Sequence, residues 1–430
     1  MKNLFLLITI FLVTSCADVD KTLVGQREDV LAPLKAEAVN SDINITLPRP
    51  TVNRMWSQNG GNSQHFMGHL ASADVLEEAF EESFGDGGSK RNFLISTPVV
   101  SHGAIFTIDA EALVMARRFD NGKRIWKKSL LSKDEKGSSV AMKGAGVAVY
   151  DKRVYATTGF GGVFSLDMIT GKKLWQTSLS TPIRIAPTVN NNRVFVQTVD
   201  NLLVCLDADS GEEIWRHQAA TNNTILVGGA APTYAANEDI LVVAFSTGQV
   251  QAFKASTGSI LWSDFVINVR GADAISSINT IKANPVIDGQ VLYVIAHNNV
   301  FVAIDLKTGQ RIWEKNLGST NQPWVAGGLV YVLTNDLNLL AIEASSGKTI
   351  WTTKIPNKDA DDRGVVATGP VLTQNRLLVA TSNGYVFSIS PYTGKVLGYI
   401  RTSDGIEVSP VVANKAVIFT TKDADLVVYK

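Results

Sequence analysis

A turn cluster ending in glycine, followed four residues later by an aromatic slot, recurs seven times along this chain and constrains its fold more than any other feature. The copies end at Gly122, Gly171, Gly211, Gly258, Gly309, Gly347 and Gly394. Their slots hold Trp126, Trp175, Trp215, Trp262, Trp313 and Trp351, and in the last copy Gly398 stands where Trp is expected. The glycines are 49, 40, 47, 51, 38 and 47 residues apart. A repeat of this length is one supersecondary unit that cannot bury its apolar face alone, so neighbouring units must stack. About 45 residues is the length of a four-stranded propeller blade.

A second marker counts the units independently. Pro98, Pro187, Pro232, Pro285, Pro323, Pro370 and Pro410 each open an apolar run that turns back on itself, and Val147 takes this place in one further unit. Proline suits the start of a strand, where no ladder donor is required. Eight inner-strand starts therefore face seven turn copies. The eighth aromatic should lie 10 to 23 residues before Pro98, the spacing seen elsewhere; Phe80 satisfies this and Trp56 does not. Phe80-Glu81-Glu82-Ser83-Phe84 also mirrors Trp126-Lys127-Lys128-Ser129-Leu130. The expectation is an all-β chain: an eight-bladed β-propeller of four-stranded antiparallel blades over 75–430. Leu76 to Phe84 closes the ring as the outer strand of the last blade.

One unit reads directly as a meander: Gly146 to Tyr150, Arg153 to Thr158, Gly162 to Asp167 and Lys173 to Leu179. In the turn, Asp with Thr or Ser bonds local backbone and Gly takes a positive φ. Tryptophan supplies apolar bulk and one donor for the seam between sheets. These residues are expected to hold blades together rather than to touch a ligand.

Forty acidic residues balance forty basic ones, which argues against a nucleic-acid partner. Of five histidines, His65 and His69 are four apart, but Phe66-Met67-Gly68 between them does not suggest a helical metal pair. No metal, catalytic residue or cofactor is expected. Lys2 precedes an apolar run, Leu4 to Val13, too short to span a bilayer and of signal-peptide form. It ends in Val13-Thr14-Ser15-Cys16, which resembles the bacterial lipobox. That resemblance implies cleavage after residue 15, lipidation of Cys16 and, with Ala17 next, an outer-membrane address. Residues 1–15 are then a signal peptide and 16–52 a lipidated tether, with a short helical piece around Val30 to Val39. Residues 53–74 are an extension packed on the propeller, expected on its exterior. Cys205, in Leu202-Leu203-Val204-Cys205-Leu206, reads as a buried, inert thiol.

The Asp-x-x-Thr-Gly-x-x-x-Trp units resemble the repeats of quinoprotein dehydrogenases. Lipobox, tether and eight blades together resemble the BamB family, propeller lipoproteins of the Gram-negative β-barrel assembly machinery. This implies a non-catalytic scaffold, lipid-anchored on the periplasmic face of the outer membrane. Its implied partners are the POTRA domains of BamA, other machinery subunits and unfolded outer-membrane proteins. Two other readings are weighed beside it. A quinoprotein enzyme would carry adjacent cysteines facing the quinone, and this chain has two cysteines that are far apart. A ligand-binding propeller would have a polar, charged channel, whereas the inner strands begin with Val, Ile, Thr and Leu.

The partner surface is expected on loops, since the strands are committed to packing. Two adjacent fourth-to-first-strand connections stand out: Thr224-Ile225-Leu226-Val227 before Gly228-Gly229, and Asp264 to Asn284 with Arg270. The family resemblance implies partner contact through this pair, here by Leu226, Val227 and Arg270. The charges depart from the family pattern: Val227 or Gly228 stands near the expected Arg, and Thr280 and Lys282 near the expected acids.

Overall fold

The computed structural model describes residues 45–89, 93–138, 143–221, 228–267, 279–357 and 364–430. Among these, thirty-two strands form eight four-stranded antiparallel sheets, with one four-residue helix, Lys133–Lys136. Seven sheets are sequential meanders. The eighth joins Glu78–Ser83 to the last three strands, with Phe80 opposite Val428 and Glu82 opposite Leu426. The last blade is thus built from both ends of the propeller segment, and closing the ring in this way removes a free edge. Glu77 and Lys430 exchange backbone hydrogen bonds at 3.2 and 2.9 Å where the ends meet.

The repeat motif is a lock between blades. The Trp126, Trp175, Trp215, Trp262, Trp313 and Trp351 indoles donate to the carbonyls of Met168, Ala208, Ala255, Leu306, Ala344 and Pro391, at 2.8 to 3.1 Å. Each acceptor lies three residues before the turn glycine of the next blade. That glycine has φ near +70° and passes so close to the ring that a Cβ on Gly309 would come within 2.7 Å of Trp262. Glycine is therefore required twice, for conformation and for space. Phe80 meets Gly122 in the same way, 2.8 Å from the position a Cβ would take. The phenyl ring has no donor, so this seam lacks the indole hydrogen bond.

The seventh blade departs from the pattern. A Cβ at Gly398 would meet nothing within 4 Å. Its neighbour is the composite eighth blade, whose third strand, Asp425–Tyr429, pairs with an outer strand, Glu78–Ser83, from far earlier in the chain. The repeat's turn does not join these two strands, so the turn carbonyl that accepts the indole at the other seams is absent among the described residues. Asp74, Val75 and Leu76 border the vacant slot instead.

Residues 51–73 run inside the ring, which corrects the expectation of an exterior position. They touch the eight innermost strands in circular order. Asn53 bonds Val412 and Asn414 of the eighth blade, and Trp56 exchanges two 2.8 Å backbone bonds with Val100 of the first. Ser57 accepts from Val149 and the Gln58 side chain bonds both backbone groups of Val189. Ser63 and Gln64 accept from Tyr234 and Ile287, Gly68 from the Trp324 indole, and Leu70 from Gln374; Ala73 returns to the eighth blade at Lys415. Innermost strands carry edge N–H and C=O groups that need partners once removed from water. This belt supplies them. Its polar residues Gln58, Ser63, His65 and His69 are buried because they are hydrogen-bonded.

Candidate interaction face and central channel

The four-to-one connections all leave the propeller at one end of the channel. The described flanks of the two proposed partner connections lie on this face. Leu226, Val227 and Arg270 themselves lie outside the described residues, as do Cys16 and the stretch Val30 to Val39. The flanks of the two connections are described, and they meet. The Ala231 backbone N–H donates to the Asn284 side-chain oxygen at 2.8 Å. The Lys282 side chain lies over Gly228, whose φ is +85°, at 3.6 Å from where a Cβ would stand. The two connections therefore rejoin the fold side by side.

The belt floors the channel, and above it lies a cavity of about 350 Å³. Trp56 from the belt and Trp324 from the sixth blade stack there, with ring centres 6.4 Å apart and planes 24° apart. The walls come from the short segments just before the inner strands, and they include Arg184, Lys282, Asn321 and Glu407. The apolar first residues of the strands misled the sequence reading on this point. Those side chains do pack into the blades, and the charged ones immediately upstream face the channel. Burial lowers the Lys282 amine below its ordinary pKa, with exposed Glu407 opposing that shift.

Other titratable groups are structural. Hydrogen bonds from Thr170, Ser210 and Thr308 hold Asp167, Asp207 and Asp305 below the usual carboxylate range. Cys205 is buried and its thiol is pushed up to about 12 by desolvation, as expected of an inert cysteine. His65 and His69 bond the Pro285 and Pro48 carbonyls through Nδ1, at 2.8 and 2.6 Å, and serve the belt. Among the described residues, no group of three or more His, Cys, Asp or Glu is placed to hold a metal.

The family model described as outer membrane protein assembly factor BamB matches residues 110–353 and 339–430. The chain belongs to the BamB family. It is 28% identical to the BamB of Yersinia pestis over 322 residues, 74% of this chain and 80% of that protein. With the BamB of Escherichia coli K12 the identity is also 28%, over 76% and 82% of the two chains. The crystal structure of BamB from Moraxella catarrhalis superposes with a TM-score of 0.69 at 18% identity, covering 83% of this chain and all of that one. A quinohemoprotein alcohol dehydrogenase from Pseudomonas putida HK5 reaches 0.68 at 16% identity, over 87% and 80%. The fold is thus common to an assembly factor and an enzyme, and the BamB likeness extends to sequence.

Proposed function

We propose that this protein is a non-catalytic scaffold of the outer-membrane β-barrel assembly machinery, anchored through Cys16 on the periplasmic side of the outer membrane. It binds the POTRA domains of BamA through the two neighbouring connections that carry Leu226, Val227 and Arg270, and it helps present unfolded outer-membrane proteins. Membership of the BamB family carries this reading, because the relatives are named for outer membrane protein assembly. The side-by-side return of the two connections at Ala231 and Asn284 supports a single composite surface. An aliphatic pair on a glycine-flanked loop can make a small desolvated anchor, with a nearby Arg donating to carbonyls or a carboxylate. Repeat carboxylates held in turns, and a cysteine whose thiol resists ionisation, fit a scaffold rather than a catalyst. The test is a pull-down of the tagged, full-length lipoprotein from detergent-solubilised outer membrane. BamA should co-purify; its absence, with the bait intact, would contradict the proposal.

A further inference from the structure

We propose that the channel cavity floored by the belt is a binding site for a carboxylate group carried on a flat or aliphatic body. Two observations support it. First, Arg184 and Lys282 line the cavity, and neither makes a hydrogen bond or ion pair among the described residues. Second, the cavity is large enough for a small ligand, and the stacked rings of Trp56 and Trp324 offer it an apolar wall.

Both unpaired side chains are cationic donors, and an anionic acceptor is the group that pairs with them. A carboxylate suits an Arg fork and a Lys point charge together. Glu407 also lines the cavity but is exposed, where water screens it, so two cations there face one screened carboxylate. The carboxylate has two possible sources, a free organic acid or the terminus of a peptide. Trp56, Asn59 and Gly60 of the belt line one part of the cavity, and Gly228, Gly229 and Lys282, from the flanks of the two partner connections, line another. This site goes beyond the scaffold role and does not depend on it.

The experiment is calorimetry on the purified full-length protein in detergent. The probes are benzoate, neutral benzamide, and trialanine with a free or an amidated carboxyl end. Benzoate should bind and benzamide should not. Stronger binding of the free-acid peptide than of benzoate would assign the site to a chain terminus, and the reverse to a free acid. Arg184→Gln and Lys282→Gln should each weaken carboxylate binding at least tenfold with an unchanged melting temperature. Glu407→Gln should strengthen it, which keeps the test informative if either cation variant misfolds. Equal affinity for benzoate and benzamide, or no carboxylate binding at all, would overturn the proposal. So would weaker binding by the Glu407 variant.

Discussion

The Trp262 indole donates to the Leu306 carbonyl in the next blade at 2.8 Å, while Gly309 of the same turn lies flat against its ring. One contact therefore joins a hydrogen bond, a ring face and a glycine that cannot be replaced without strain. Repeated from blade to blade, it turns a chain of meanders into a ring.

The two halves of this lock should fail differently. Trp262→Phe keeps most of the apolar body but leaves the Leu306 carbonyl without its donor, at a cost of about 1–2 kcal/mol. Gly309→Ala forces a Cβ against the ring and a non-glycine residue into positive φ, at about 2–4 kcal/mol. Urea denaturation of both variants measures the order. A glycine variant as stable as the parent would contradict the lock.

Closure makes a second prediction. Deleting residues up to Gly85 removes the outer strand of the eighth blade and the belt together, and should leave an aggregating protein with unpaired edges. Deleting only 17–50 should leave the propeller folded. Phe80→Ala, which strips the ring from Gly122, should cost about 2–4 kcal/mol. Light scattering and thermal melts read all three, and a soluble, fully stable longer deletion would refute the closure.

The blade count was legible because the turn cluster and the strand-opening prolines repeat on independent residues. Phe80 was legible because its flanks mirror those of Trp126. The belt was not, since Gln58, Ser63, His65 and His69 read as surface residues and are buried only because inner-strand edges satisfy them. The charged channel was missed for a related reason. Arg184, Lys282 and Glu407 stand just outside the strands, where periodicity carries no signal. The vacancy at Gly398 could be seen in the sequence, but its cause required knowing that the outer strand of the adjoining blade comes from the other end of the propeller and is not joined to its neighbour by the repeat's turn.

Two buried groups make the pH dependence of stability testable. Desolvation lowers His65 to about 4, so its contribution is complete above about pH 6.5 and is lost as pH falls towards 4, by roughly 3 kcal/mol. Asp109 is raised to about 6 by desolvation, against backbone donors from Asp86, Leu113 and Glu111. The folded form holds this proton more tightly, so Asp109 contributes stability below about pH 4 that is lost as pH rises to 6, also roughly 3 kcal/mol. The two trends oppose each other over the same window. Asp109→Asn should expose an acid-side loss of stability and His65→Gln an acid-side gain, read by denaturant midpoints between pH 4 and 7. Parallel profiles for the two variants would contradict both assignments.

The proposed anchoring rests on Cys16 alone. Cys16→Ser should abolish incorporation of a fatty-acid analogue and release the protein from the membrane fraction, since among the described residues no helix is long and apolar enough to cross a bilayer. Label persisting on the variant would overturn the lipidation assignment.

The central claim, that this propeller is a scaffold docking onto the assembly machinery through the paired connections, is tested most directly by calorimetric titration with the purified POTRA domains of BamA. The parent should bind. The double variant Leu226→Asp/Val227→Asp should lose about 2 kcal/mol or more of binding free energy with an unchanged melt, because the blade seams lie elsewhere. Undiminished binding by a well-folded double variant would contradict the assigned surface, and no binding by the parent would contradict the scaffold role itself.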